Sequence, residues 1–294
     1  MEFHKSVLLN EAIEFLKVEP GEKYIDATLG GGGDTIRILE QGGSVLGLDA
    51  DQEAITYVQE KIKDLRLKFK EELIVVKGNF RDIEELALKN GFEEVAGILF
   101  DLGVSSHQVN TAERGFSFQK DGELDMRMDK DLGVKAKDLI AVLSKGELQE
   151  LFIRLGEERF ASSIAKHIDA YRKEKPIETT AELAEIVKQS YSGPFSKIHP
   201  ATKVFQALRI AVNDELHNLE ETLPQAISLL KPKGRLVIIS FHSLEDRIVK
   251  DAYKTFQGKG LGSIITKKPI EPREEEITQN ARSRSAKMRV FERG

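Results

Sequence analysis

Short apolar runs alternate with amphipathic stretches through the first third of the chain. Tyr24-Ile-Asp-Ala-Thr28 reads as a strand that runs into Gly30-Gly31-Gly32-Gly33. A helix follows, with Ile36 and Leu39 on one face. Ser44–Asp49 reads as a second strand, and Gln52–Ile62 as its helix, with Ile55, Val58 and Ile62 spaced for one face. Leu73–Val76 is a third strand. Arg81–Lys89 is a third helix, stopped at Asn90-Gly91. Val95–Phe100 is a fourth strand that ends at Asp101. These strands are continuous apolar runs rather than alternating ones, as expected when helices cover both faces of a sheet. The pattern predicts a parallel sheet in an open, doubly wound α/β domain.

The rhythm then breaks. Between about His107 and Asn213 no segment reads as a good strand. Leu139–Leu143, Glu147–Leu155, Phe160–Tyr171 and Thr180–Tyr191 read as helices. Ala201–Leu219 reads as one more, with Val204, Leu208, Val212 and Leu216 on one stripe. Alternation resumes with a helix over Leu219–Leu230, a turn at Lys231-Pro-Lys-Gly234 and a strand over Arg235–Ser240. A helix over Leu244–Phe256 and last strands at Gly262–Thr266 and Met288–Phe291 complete the chain. The expected organisation is an α/β domain from residues 1–110 and 214–294, with an all-helical domain of residues 111–213 inserted after the fourth strand. An insertion at the carboxyl end of a strand is expected over the ligand crevice, where a substrate lid belongs.

Composition narrows the chemistry. The chain has no Cys, which removes disulfides, thiolate metal sites and a thiol nucleophile. No apolar run approaches the ~18 residues of a membrane helix, and Met1-Glu2-Phe3-His4-Lys5 lacks the order of a signal peptide. A soluble, cytoplasmic protein is expected. The formal net charge is −5, so any nucleic-acid binding must rest on local basic patches. Arg282, Arg284, Lys287, Arg289 and Arg293 form one such stretch near the C-terminus. Lys203 and Arg209 lie on the polar side of their helix and could add to it, or could simply face solvent.

The glycine run follows a strand and opens a helix, which lets backbone approach a nucleotide closely. The spacing is not a dinucleotide fingerprint, because Thr35 stands where a third Gly would. Asp49 ends the second strand about 20 residues later, where a carboxylate can accept both ribose hydroxyls of a nucleoside. Asp51 nearby reads as a helix N-cap. Phe80, after the third strand, could cover an adenine ring or serve as a core aromatic. Asp101 points into the crevice from the fourth strand, and His242 closes the fifth strand on the same rim. Asp125, Asp129 and Asp131 are interleaved with Arg127 and Lys130, so a salt-bridged loop is expected there, and no metal site anywhere.

Several segments resemble a known family. Asp26-Ala-Thr-Leu-Gly-Gly-Gly-Gly-Asp34 looks like the first motif of class I S-adenosylmethionine methyltransferases. The RsmH (MraW) family, which methylates N4 of a cytosine in bacterial small-subunit ribosomal RNA, is resembled more specifically. The segments are His4-Lys-Ser-Val-Leu-Leu9, Asp101-Leu-Gly-Val-Ser-Ser106 with Gln108, Glu113-Arg-Gly-Phe-Ser-Phe118 and Leu124-Asp-Met-Arg-Met128. Further matches are Pro200–Ile210, Asn213–Leu216, Ser240–Asp246 and Asn280–Lys287. The resemblance runs from end to end. It implies a Rossmann-like class I fold, S-adenosylmethionine as methyl donor with S-adenosylhomocysteine as product, and 16S ribosomal RNA near the decoding centre as substrate, within the small subunit. It leaves a homodimer open. It further implies cofactor contacts from Gly31, Gly32, Gly33, Asp34, Asp49, Phe80, Asp101 and Gln108, although many members carry His where this chain has Asp34. Asp101 is the expected acceptor for the target amine, with Ser105, Ser106 and His242 behind it. Amine methyltransferases acting on bases often have prolines and an aromatic after the fourth strand. Here the stretch is Asp101-Leu-Gly-Val, so the stacking aromatic is sought among Phe116, Phe118 and Phe241. Two other readings remain: a non-catalytic RNA-binding protein on this fold, and a nucleotide-dependent oxidoreductase.

Overall fold

In the computed structural model, residues 6–69, 72–191 and 199–294 are described, without the side chains of 62–69. His4 and Lys5 of the N-terminal motif, and the Ile62 side chain, lie outside the described residues. The elements in chain order begin α1 (Leu9–Leu16), β1 (Lys23–Asp26), α2 (Gly33–Glu40), β2 (Ser44–Asp49), α3 (Gln52–Phe69), β3 (Leu73–Lys77), α4 (Ile83–Lys89) and β4 (Val95–Asp101). Then come α5 (Ser106–Asn110), α6 (Ala136–Val142), α7 (Lys145–Gly156), α8 (Ala161–Arg172), α9 (Thr180–Gln189) and α10 (Ala201–Asn213). The last are α11 (Glu215–Leu229), β5 (Leu230–Ser240), α12 (Ser243–Gly258), β6 (Gly262–Ile264), α13 (Glu274–Gln279) and β7 (Lys287–Arg293). The chain forms two compact units, Met1–Ser105 with Leu216–Gly294, and Ser106–Glu215.

The first unit is a seven-stranded sheet in the order β3-β2-β1-β4-β5-β7-β6. β1 to β5 run parallel, and β7 runs antiparallel to both β5 and β6. The fold is thus a doubly wound α/β sheet of the class I methyltransferase kind. Successive strand residues serve opposite faces. Ile98, Phe100, Leu236 and Ile238 pack with Ile83 of α4, Leu223 of α11 and Val249 of α12. Leu99, Val237 and Ile239 pack with Ala12, Ile13 and Leu16 of α1 and Ile38 and Leu39 of α2. Burial on both faces explains why these strands carry no polar alternation. Strand order reverses between β1 and β4, so a crevice opens beyond the carboxyl ends of those two strands.

The second unit has its own core, including Ile140, Leu148, Phe152, Ile164, Ile168, Leu183, Val204 and Leu208 from successive helices. No named strand lies in it among the described residues. Ser144 and Thr179 start α7 and α9 as reciprocal capping boxes with Glu147 and Glu182.

Of the boundaries that differ from the sequence expectation, two have a clear local cause. The helix expected over Ala201–Leu219 ends at Asn213, because Asp214 takes a left-handed conformation (φ 51°). Asn213 is committed there: its Nδ2 donates to Met126 O and Arg209 O, both at 2.8 Å, and its Oδ1 accepts from Met128 N. The turn expected at Lys231–Gly234 is absorbed into β5 as a register shift, with Val95 opposite Leu230 but Gly97 opposite Arg235. Lys233 there has φ 66°. No helix among the described residues is long and apolar enough to cross a membrane.

Candidate active site

The site grows from the turn after β1. Asp26, buried at the strand end, accepts from Thr28 N at 3.2 Å and from Thr35 Oγ1 at 2.6 Å. Thr35 therefore occupies the third-glycine position with a hydroxyl that fastens α2 to β1. Gly32 is left-handed (φ 72°) and serves as the N-cap of α2. Having no side chain, it gives α2 no side-chain cap at that position, and the acid of the first turn is Asp34; backbone N–H groups at a helix start favour an anion or carboxylate. Lys61 Nζ donates to Gly31 O at 3.2 Å on the other side of the turn.

Asp49, at the end of β2, faces this turn. Its Oδ2 accepts from Gly30 N at 2.8 Å and its Oδ1 from Asp51 N at 2.8 Å. Burial pushes the carboxyl up to about 6, against those two backbone N–H groups, which lower it. Asp51 does the local capping instead, accepting from Glu53 N at 3.0 Å. Phe80 follows β3, half-buried and edge-on to Phe100 with centroids 5.7 Å apart. Its carbonyl accepts from Thr222 Oγ1 at 2.6 Å, which sets the chain direction at this end of the crevice.

Asp101 ends β4, and its backbone N–H donates to Thr28 Oγ1 at 2.6 Å. Thr28 was not singled out in the sequence beyond its place in the glycine motif. Its hydroxyl ties the end of β4 to the turn that follows β1. Gly103 has φ 102°, and a Cβ there would lie 3.5 Å from Phe241 Cδ2. Phe241, just beyond β5, thus flanks the Asp101-Leu-Gly103 stretch. Phe118 is used elsewhere: it stacks on His199 at 4.5 Å and meets Phe205 edge-on at 5.0 Å, within the helical unit. Phe116 packs against the same helical core.

His242 is occupied by its own helix. It is the N-cap of α12, with Nδ1 accepting from Glu245 N at 3.4 Å and Nε2 3.1 Å from Glu245 Oε1. Glu245 Oε2 in turn accepts from Phe241 N at 2.7 Å and His242 N at 3.3 Å. Ser105 closes the sheet unit's first segment. Ser106 and Gln108 belong to α5 of the helical unit, where Gln108 is buried.

One family model, that of the MraW methylase family, matches residues 1–294. The chain belongs to the MraW methylase family. The Ribosomal RNA small subunit methyltransferase H of Lachnospira eligens is 44% identical over 314 aligned positions, which span 100% of this chain and 98% of that protein. Among solved structures, an rRNA methylase from Streptococcus thermophilus aligns over 98% of this chain and 97% of its own, with 12% identity and a TM-score of 0.47. A Streptococcus mutans protein in complex with S-adenosylhomocysteine aligns over 99% of each chain, with 14% identity and a TM-score of 0.45.

For this MraW-family chain, the structure redistributes the basic residues noted in the sequence. Arg289 is buried and bidentate to Asp246, at 2.6 and 3.1 Å. Arg293 donates to the carbonyls of Ile227, Ser228 and Leu230, at the end of α11 and the start of β5. Lys203 donates to Glu157 O at 2.7 Å, and Arg209 is bidentate to Glu215, both oxygens at 2.8 Å. Arg209, Arg289 and Arg293 serve the fold, because each satisfies a carboxylate or a set of carbonyls, and Lys203 is an exposed residue tied to one carbonyl. Arg282 and Arg284 remain exposed on the turn before β7. Asp125 is held by Arg127 at 2.8 Å and lies 3.5 Å from Lys135, a salt-bridged loop.

Proposed function

We propose that this chain transfers a methyl group from S-adenosylmethionine to the exocyclic N4 of a cytidine in 16S ribosomal RNA, acting in the cytoplasm on the small subunit. The observation that carries the reading is the joining of Asp49 to the glycine turn at the topological switch point. A half-buried carboxylate with two N–H donors already in place can still accept the two hydroxyls of a ribose diol. The uncapped positive end of α2 suits the carboxylate of the methionine part. This donor set fits S-adenosylmethionine, with Phe80 as the apolar wall for adenine, and Gly31, Gly33 and Asp34 as further contacts.

When bound, the cofactor supplies a methyl group already activated by its sulfonium. The protein's task is then mainly to position the amine. A cytosine N4 is a poor nucleophile because its lone pair is delocalised into the ring. Asp101 is the acceptor that draws on its N–H and takes the proton released as the new C–N bond forms. Ser105 and Ser106 are supporting acceptors. His242 stands behind them, since its imidazole is committed to the α12 cap. Phe241 is the aromatic best placed to stack on the base. The target must be single-stranded or turned out of its stack to reach the site. The helical unit and the exposed Arg282 and Arg284 bind the RNA backbone.

The test is methyl transfer from labelled S-adenosylmethionine to small subunits from cells lacking this protein, followed by nucleoside analysis. Label in N4-methylated cytidine supports the reading. Label in another nucleoside overturns the target. No label, with cofactor bound, favours a non-catalytic RNA-binding role.

A further inference from the structure

The segment before α1 touches the glycine turn. Ser6 Oγ donates to Asp34 Oδ2 at 2.6 Å. Asp34 is in the first turn of α2 and is buried. The same Ser6 Oγ would lie 2.4 Å from a Cβ on Gly33. A side chain on Gly33 would therefore crowd that hydroxyl, and Ser6 would have to turn away from Asp34 to admit it. Two residues on, Leu8 has φ 52° and its N–H donates to Glu276 Oε1 of α13 at 2.8 Å. The stretch Ser6–Leu8 is thus anchored at both ends, on the cofactor turn and on the helix that leads into the Arg282–Arg284 turn.

We propose that Ser6 is a positioning residue for the cofactor turn, acting through Asp34 and through its fit into the space above Gly33. A hydroxyl bonded to a carboxylate in the first turn of α2 fixes the direction of the Gly32-Gly33-Asp34 backbone. That backbone is where the methionine end of the cofactor is placed, so the inference rests on the cofactor reading above. Preorganisation of this kind shows in ligand affinity rather than in the chemical step.

The experiment is calorimetric titration of the full chain with S-adenosylhomocysteine, alongside steady-state methyl transfer. Ser6→Ala is expected to weaken binding and raise KM for S-adenosylmethionine by about 3- to 10-fold, the loss of part of one charge-assisted hydrogen bond. The kcat at saturating cofactor is expected to hold, and Ser6→Thr, which keeps the hydroxyl, to restore affinity. The steric half is tested by a double-mutant cycle. Gly33→Ala pushes against Ser6 Oγ, so Ser6→Gly in the same chain is expected to recover part of the affinity that Gly33→Ala loses. Wild-type affinity in Ser6→Ala, or strictly additive losses in the cycle, would overturn the proposal. Asp49→Ala separates the two levels: if it too leaves affinity unchanged, the cofactor placement itself fails. If it abolishes binding while Ser6→Ala does nothing, only the role of Ser6 fails.

Discussion

The backbone N–H of Gly30 donates to Asp49 Oδ2 at 2.8 Å, which makes the glycine turn after β1 and the acid at the end of β2 a single piece of structure. On the proposed reading, loss of the Asp49 carboxylate removes the ribose acceptors and frees the turn together. Asp49→Ala is therefore expected to weaken S-adenosylhomocysteine binding by about 10- to 100-fold, from about 1.5–3 kcal/mol of charge-assisted hydrogen bonding. Isothermal titration checks this. Unchanged affinity would remove Asp49 from the ribose site.

The raised carboxyl of Asp49 sets a pH dependence. Ribose hydroxyls donate to the ionised form, so binding favours the deprotonated state. Affinity is expected to be full above about pH 6, the folded-state value, and to fall as the pH drops through it. Stability runs the other way. The folded value of about 6 lies above the ordinary 3.8, so Asp49's own contribution to stability is complete below 3.8 and is lost as the pH rises through about 6. Above that pH, ligand hydroxyls offset the cost of the partly desolvated charge. The rise in Tm on adding S-adenosylhomocysteine should be larger at pH 7.5 than at pH 5. A ligand-induced rise that is the same at both would contradict the assignment.

How much of this was legible in the chain varies with the physics. The strands and the crevice acids could be read because a doubly buried parallel strand leaves an apolar run, and because a site at a switch point ends its strands in acids, here Asp49 and Asp101. β2 was placed to the residue, over Ser44–Asp49. The break at Asp214 was not legible. The apolar stripe of α10 continues into α11, and the helix ends at the left-handed Asp214, beside bonds from Asn213 to the distant Met126 and Met128. The roles of the basic residues were equally hidden. Arg289 and Arg284 look alike in sequence, but Asp246, 43 residues from Arg289, claims only the first. The Ser6–Asp34 bond spans 28 residues and has no periodic signal at all.

That division of the C-terminal cations can be tested directly. Arg289→Ala leaves Asp246 a largely buried carboxylate without its main partner, and is expected to destabilise the sheet unit by about 3 kcal/mol. Thermal melting should show the loss, with Arg289→Lys recovering little because a single ammonium cannot replace the bidentate fork. Arg284→Ala, on an exposed turn, should leave Tm within about a degree, since surface changes of this kind are usually neutral. It should instead weaken RNA binding and lower its salt slope by about one. Equal loss of stability in both variants would mean that the exposed turn is structural as well.

Asp101 and His242 sit on the same rim but are held for different purposes, and their variants should part. Asp101 is fixed through its backbone, by Thr28 Oγ1, and its carboxylate is assigned to the amine. Asp101→Ala is expected to lower kcat by about 100-fold or more, within the range of a lost proton acceptor. His242 is fixed through its ring, which caps α12 by accepting from Glu245 N. His242→Ala should cost about 1 kcal/mol as a lost cap, and loosen Glu245, on which the Phe241 and His242 backbone N–H groups depend. An Asn side chain can accept the same N–H, so His242→Asn is expected to keep both Tm and most of kcat. A rate loss in His242→Asn as large as that of Asp101→Ala, with Tm intact, would instead make the imidazole the proton acceptor and Asp101 a positioning group.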